Sequence, residues 1–179
     1  MQISDITAED LDTALALNEA SVPHVSSIDL EKIRWFAAQA FYFRSVRVDG
    51  RFAGFLIGLR PGIDYTSENY RWFCENYRDF GYIDRVAIAP DARRLGIATA
   101  LYDDFASKLN GEVQVMTCEV NIRPANATSM RFHERHGFIQ VASQVTETGS
   151  KELALMENRL CPTSNATGIW ILSSTAPQV

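Results

Sequence analysis

The run RRLGIATALYDDF, residues 93–105, constrains the fold of this chain more than any other stretch. It follows FGYIDRVAIAP, a β-rich run stopped by Pro90, and it leads into Ile97, Leu101, Phe105 and Leu109, which share one face of a helix. A strand must therefore end, turn through a glycine and feed a helix. The first backbone N–H groups of that helix lack intrahelical partners and sit at the positive end of its dipole, and a phosphate satisfies both conditions. Gly96 and Ala98 let an anion approach the backbone, while Arg93 and Arg94 can add charge-assisted hydrogen bonds. The same residues also fit a helix that begins after a Pro-Asp turn with both arginines solvated. Neither GxxxxGK[ST] nor GxGxxG is present, which sets aside P-loop NTPases and dinucleotide enzymes.

Around this segment the chain reads as alternating strands and helices. MQISDIT alternates as a short strand, and TAEDLDTALALNEA is a helix with Thr7 as its N-cap. SSIDLEKIRWFAAQ is a second helix, and residues 41–59 form two β-rich runs around Asp49-Gly50, the signal of an antiparallel hairpin. Residues 60–79 read as a loop and a short aromatic helix with Tyr70, Phe73 and Tyr77 at helical spacing. After the helix of residues 97–109, ended by Asn110-Gly111, EVQVMTCEV is a strand. RPANATSMRFHERHG is a helix capped by Gly137, and FIQVASQV and KELALMEN close the pattern as strands. The order predicts an α/β fold of the α+β kind, a mixed and mostly antiparallel sheet with helices on both faces. A single domain is expected over residues 1–160. The tail, 161–179, is richer in Ser, Thr and Asn but holds GIWIL, which could add a strand to this sheet or to a partner's.

Composition narrows the class of function. At 179 residues with a net charge of −5, the chain lacks the basic excess of a general nucleic-acid binder, so none is expected as a partner. Cys74, Cys118 and Cys161 form no CxxC or Cys/His pattern, so neither a disulfide framework nor a metal site is expected. The opening MQISDITAEDLD has no charged and apolar leader, and no apolar run reaches membrane length. The expected setting is a reducing cytoplasm, with no membrane partner.

Two motifs carry a resemblance. RVAIAPDARRLGIATALYDDF resembles the signature of the GNAT superfamily of N-acetyltransferases, whose Q/R-x-x-G-x-G/A turn is matched by Arg93, Gly96 and Ala98. NATSMRFHERHGF resembles the family's second segment at Asn126, Ser129, Phe132, Gly137 and Phe138. The resemblance covers residues 1 to about 158 in element order. It implies acetyl-CoA as co-substrate, with no metal, and a GNAT-like fold. It implies that Arg93, Arg94, Leu95, Gly96, Ile97, Ala98 and Thr99 hold the pyrophosphate. Val86, Ala87 and Ile88 would pair with pantetheine like an added strand, with the Ile88 N–H at the carbonyl oxygen, and Asn126, Ser129 and Phe132 would complete the cofactor site.

Acetyl transfer to an amine needs a proton acceptor, because a free amine with a pKa near ~10.4 is almost wholly protonated at neutral pH. Asp84 interrupts YIDRVAI and Glu119 ends VQVMTCEV, both charges in strands otherwise suited to burial. Either could be the base or an amine anchor, with Glu119 the first choice. Either could instead sit in a surface pair, Asp84 with Arg85 or Glu119 with Arg123. His133 stands where the family usually has the Tyr taken to protonate the thiolate, and it is the candidate general acid or a positioning residue. His24 and His136 are expected to be structural. The aromatic insert between Tyr65 and Tyr82 either walls the acceptor site or packs in the core or across a dimer interface.

The expected function is acetyl transfer from acetyl-CoA to a primary amine of a small molecule or peptide, by direct attack in a ternary complex. The alternative is a non-catalytic acyl-CoA-binding module. A homodimer is one assembly the sequence allows.

Overall fold

The structure, a computed structural model, describes residues 1–109, 111–146 and 149–160. Asn110 and the tail from 161 to 179 lie outside the described residues, and with them the expected added strand. Asp49 and Gly50 both take left-handed backbone conformations, φ 49° and 77°. They close a two-residue hairpin between β2 (Tyr42–Val48) and β3 (Arg51–Leu59). β1 (Gln2–Asp5) pairs along the outer side of β2.

The helix expected from residue 7 enters through a single 3-10 turn, Ala8–Asp10, in which Thr7 and Asp10 form a capping box, before α1 (Leu11–Glu19). Asp29 and Ser67 cap α2 (Leu30–Gln39) and α3 (Glu68–Asn76) by accepting from the backbone N–H groups of Lys32 and Tyr70. β4 (Gly81–Ile88) leads to a 3-10 turn, Pro90–Ala92, and then to α4 (Ile97–Leu109). β5 runs over Val115–Arg123, three residues later than expected, and α5 over Ala127–Arg135. The shift has a local cause. A residue before proline is held extended, so Arg123 stays in the strand and the helix waits until the Asn126 cap. β6 (Ile139–Val145) and β7 (Glu152–Arg159) form the last antiparallel pair.

Among the described residues the seven strands lie in the order β1-β2-β3-β4-β5-β7-β6, and all neighbours are antiparallel except β4 and β5. The period-2 alternation of each strand divides its apolar residues between two layers. On one face Ile97, Leu101 and Phe105 of α4 pack over Leu56, Ile83 and Met116. On the other, Leu11 of α1, Ile33 and Phe36 of α2, and Tyr70 and Phe73 of α3 pack over Phe55, Ile57 and Tyr82. The aromatic insert is thus a wall of this second core. A Cβ at Gly58 would sit 2.6 Å from the Phe105 ring, so that glycine sets how closely α4 lies on the sheet.

Candidate active site

The one parallel pair is also the place where the sheet opens. β4 and β5 are registered only at Gly81–Met116, Tyr82–Thr117 and Ile83–Cys118, and beyond these residues the strands part. The parting starts at a bulge. Arg85 faces Ile57 and Ile83 faces Gly58, so Asp84 is the extra residue on β4. A bulge puts two consecutive side chains on one face, and Asp84 and Arg85 accordingly both lie on the α1–α3 side. The Ala89 N–H donates to Ala53 O at 2.9 Å. Backbone alternation then turns the N–H of Ala87 toward β3, and those of Val86 and Ile88 toward the opened edge.

A cavity of about 790 Å³ runs through the opening. Lys32, Tyr65, Asp84 and Glu119 line it on the α1–α3 side, and Tyr102, Ser129 and His133 on the α4–α5 side. Glu119 projects from β5 toward Tyr82, whose hydroxyl donates to Glu119 Oε2 at 2.7 Å. Burial pushes the Glu119 carboxyl up to about 7, and the neighbouring Asp84 charge adds to the rise. Asp84 is committed elsewhere. Its Oδ2 accepts from Arg85 Nε at 2.6 Å, and both side chains are only 3% exposed. Arg85 is fixed in turn by Asn18 Oδ1 at 2.9 Å, by Ser26, and by the Phe36 ring 5.0 Å from its Cζ. The pair is buried rather than at the surface, and it leaves Glu119 as the carboxylate whose proton affinity lies near neutrality. Arg123 is not a partner of Glu119; it approaches Glu152 at 3.9 Å.

His133 is buried, and burial lowers its pKa to about 4. The imidazole is therefore neutral at pH 7. Its Nδ1 lies 2.8 Å from Ser129 O, a carbonyl that can only accept, so Nδ1 carries the hydrogen. That leaves Nε2 as an acceptor for the Tyr102 hydroxyl at 2.8 Å. Tyr102 is fully buried, and desolvation raises its pKa well above the ordinary phenol value. A group that holds its proton at every physiological pH thus stands beside His133 on the cavity wall.

The segment after β4 is exposed from Arg93 to Gly96, and it contains two left-handed residues, Arg94 at φ 68° and Gly96 at φ 76°. A Cβ added at Gly96 would meet no protein atom within 4 Å, so its space opens outward. Leu95 is 57% exposed, whereas the Ile97 side chain is in the core. This turn does not line the cavity; it lies past the end of β4, where the amides of Ile97, Ala98 and Thr99 begin α4. Asn126 does line the cavity, and its Oδ1 accepts from Ser129 N at 3.1 Å as the cap of α5. Phe132 packs edge-on to Tyr102 at 5.1 Å. Ala87 is a core side chain and Ile88 is partly buried against the α4 core.

Of the residues singled out from the sequence, Asp84, Val86, Glu119, Asn126, Ser129 and His133 come together on the cavity. The rest lie along β4, the 93–99 turn and α5. Tyr102 and Lys32 were missed, while Tyr82 was read only as part of the aromatic insert and Arg85 only as a surface partner of Asp84. Tyr102 had one available signal, an aromatic hydroxyl beside Leu101 on the buried side of an amphipathic helix. The burial of the Asp84–Arg85 pair was hidden because adjacent residues on a regular strand face opposite ways, and only the bulge puts both on the buried face. Among the described residues no group of three His, Cys, Asp or Glu side chains could hold a metal, and no helix is long and apolar enough to cross a membrane.

Comparison with known proteins follows the same geometry. Residues 10–138 match the model of the acetyltransferase (GNAT) family. No curated protein matches the chain. Among solved structures, the ribosomal-protein-S18-alanine N-acetyltransferase of Escherichia coli superposes with a TM-score of 0.69 at 16% identity, over 94% of this chain and 99% of that one. Ard1 of Thermoplasma volcanium gives 0.72 at 19%, over 89% and 97%. Chaetomium thermophilum Naa20, in complex with a bisubstrate analogue, gives 0.71 at 17%, over 89% and 87%. At these identities the likeness is one of fold.

Proposed function

The chain belongs to the GNAT family of acetyltransferases, and from that premise we propose that it transfers the acetyl group of acetyl-CoA to the primary amine of a small molecule or peptide by direct attack. The observation that carries this reading is Glu119, a carboxylate pushed up to about 7 in the cleft between the parted strands. A base is most effective with a pKa near the working pH, since it is then both unprotonated and able to hold a proton. Acetyl-CoA, when bound, supplies an activated thioester and a thiol leaving group. Glu119 accepts the proton that the amine must lose. The Asp84–Arg85 ion pair lies beside Glu119, with Asp84 held to the guanidinium rather than turned to the amine. The outward N–H groups of Val86 and Ile88 offer donors to negative charge on a carbonyl oxygen. The turn from Arg93 to Thr99 takes the pyrophosphate, and Asn126 and Ser129 flank pantetheine.

On the opposite wall, the Tyr102 hydroxyl, positioned by neutral His133, turns from His133 Nε2 toward the sulfur and hydrogen-bonds the departing thiolate without giving up its proton, so that CoA leaves as the thiolate and the amine's proton stays on Glu119. Tyr102→Phe is expected to lower turnover by about tenfold to a hundredfold with little change in CoA affinity. Because Tyr102 titrates well above the usual range, no alkaline fall in rate should come from it up to pH 10. Steady-state rates set against CoA calorimetry check the split, and equal losses in both would make Tyr102 a binding residue only.

The finer parts of the proposal are a cytoplasmic setting, in keeping with the free thiols of Cys74 and Cys118, and a homodimeric assembly of single domains spanning residues 1–160. The reading is tested by thiol release. With a panel of amino acids, polyamines, aminoglycosides and peptides, at least one amine should release CoA. Acetyl-CoA at a hundred times its Kd should stabilise the fold by about 2.7 kcal/mol, a melting shift that pantetheine should not match. Stabilisation without thiol release from any amine would leave an acyl-CoA-binding module, and the absence of both would overturn the proposal.

A further inference from the structure

On the α1–α3 side of the cleft, the place for a cation is already filled from within the chain. Lys32, in the first turn of α2, holds its Nζ 3.9 Å from the Trp35 ring centroid, 4.5 Å from that of Tyr65 and 5.2 Å from that of Phe36. The rings attract the ammonium and fix its position, but their faces do not satisfy its three N–H donors as an anion would. Lys32 forms no ion pair among the described residues. The two carboxylates that act on it are engaged elsewhere. Asp29 Oδ1 accepts from the Lys32 backbone N–H at 2.7 Å, and Asp84 is paired with Arg85. Burial lowers the Lys32 pKa, as it does for a cation withdrawn from water without a counterion. The side chain lines the same cavity as Glu119.

An acceptor entering here therefore meets a carboxylate base at one point and an unpaired ammonium at another. We propose that Lys32 receives a carboxylate of the acceptor, so that the substrate class is amino acids, with the amine at Glu119 and the carboxylate at Lys32. The position of the amine rests on the acetyl-transfer reading, whereas the carboxylate contact can be read by binding alone. An aromatic slot for a substrate's cationic tail is excluded by the same geometry, because Lys32 occupies it.

The test uses product-like probes that keep the carboxylate and have no amine. CoA-loaded protein is titrated calorimetrically with N-acetylglycine, N-acetyl-L-methionine and N-acetyl-L-phenylalanine, each against its primary amide. At least one acid should bind about tenfold or more tightly than its amide, the range expected of a charge-assisted contact. Lys32→Met should bring that ratio close to one, and Lys32→Arg should retain it. Lys151→Met, which removes another cation that lines the cavity, should also retain it. Equal binding of acids and amides, no binding of either, or a preference that survives Lys32→Met or is lost in Lys151→Met would overturn the proposal. If the preference holds while no amine releases CoA, the transfer reading fails and the carboxylate site stands. If amines turn over while acids and amides bind alike, the reverse is true.

Discussion

Replacing Glu119 with glutamine is expected to lower turnover by about 10²- to 10⁴-fold while leaving CoA affinity within about twofold. Glutamine keeps a carbonyl oxygen for the Tyr82 hydroxyl, which donates to Glu119 at 2.7 Å, but it cannot take a proton from an amine. The same variant should be more stable than the parent at neutral and alkaline pH. The native carboxyl titrates at about 7 against an ordinary 4.5, so the native state binds a proton that the unfolded chain has already released. Stability from this site is full below about pH 4.5 and is lost as pH rises through about 7. Above that window the ionised group costs about 3 kcal/mol, which glutamine does not incur. The melting temperature of Glu119→Gln should therefore exceed the parent's by roughly 5–10 °C at pH 8 and match it at pH 4. Calorimetric scans at the two pH values check this, and an equal difference at both would mean that the gain is one of packing.

Gly96→Val is expected to weaken CoA binding by on the order of tenfold to a hundredfold without disturbing the core. Two causes act together. The residue sits at φ 76°, where a β-branched side chain is strained, and its Cβ would project into space that no protein atom fills. Strain alone appears in the melting temperature of the free protein, whereas obstruction of an incoming anion appears only in the Kd. Gly96→Ala separates them, because it carries much of the backbone strain with little bulk. An unchanged Kd in the valine variant would remove the 93–99 turn from the cofactor site.

The fold was largely legible because its signals were local. The Asp49-Gly50 hairpin, the apolar face of residues 97–109 and the Pro90 stop each follow from turn chemistry or periodicity, and the structure has them where the residues indicate. The late end of β5 and the late start of α5 came from Pro124, whose effect on the preceding residue outweighed the apparent start of a helix. Within the site, Glu119 and Asp84 stood out as charges in apolar strands. The Asp84–Arg85 pair was foreseen only at the surface, because its burial depends on a bulge, and the Glu119 environment depends on Tyr82 and the parted strands. These are non-local facts, and periodicity carries no trace of them. Likewise His133 read in isolation as either a general acid or a positioning residue, while its tautomer and neutrality follow from Ser129 and Tyr102, which only the helix packing brings into contact.

The most direct measurement is the pH dependence of kcat at saturating acceptor, in the parent and in Glu119→Gln, with two acceptors whose amines differ in pKa. In the parent the rate should rise through an apparent pKa near 7 that is the same for both acceptors, since Glu119 must lose its proton before it can accept one. In the variant that limb should disappear. A limb that persists in Glu119→Gln, or that moves with the pKa of the acceptor amine, would contradict Glu119 as the base.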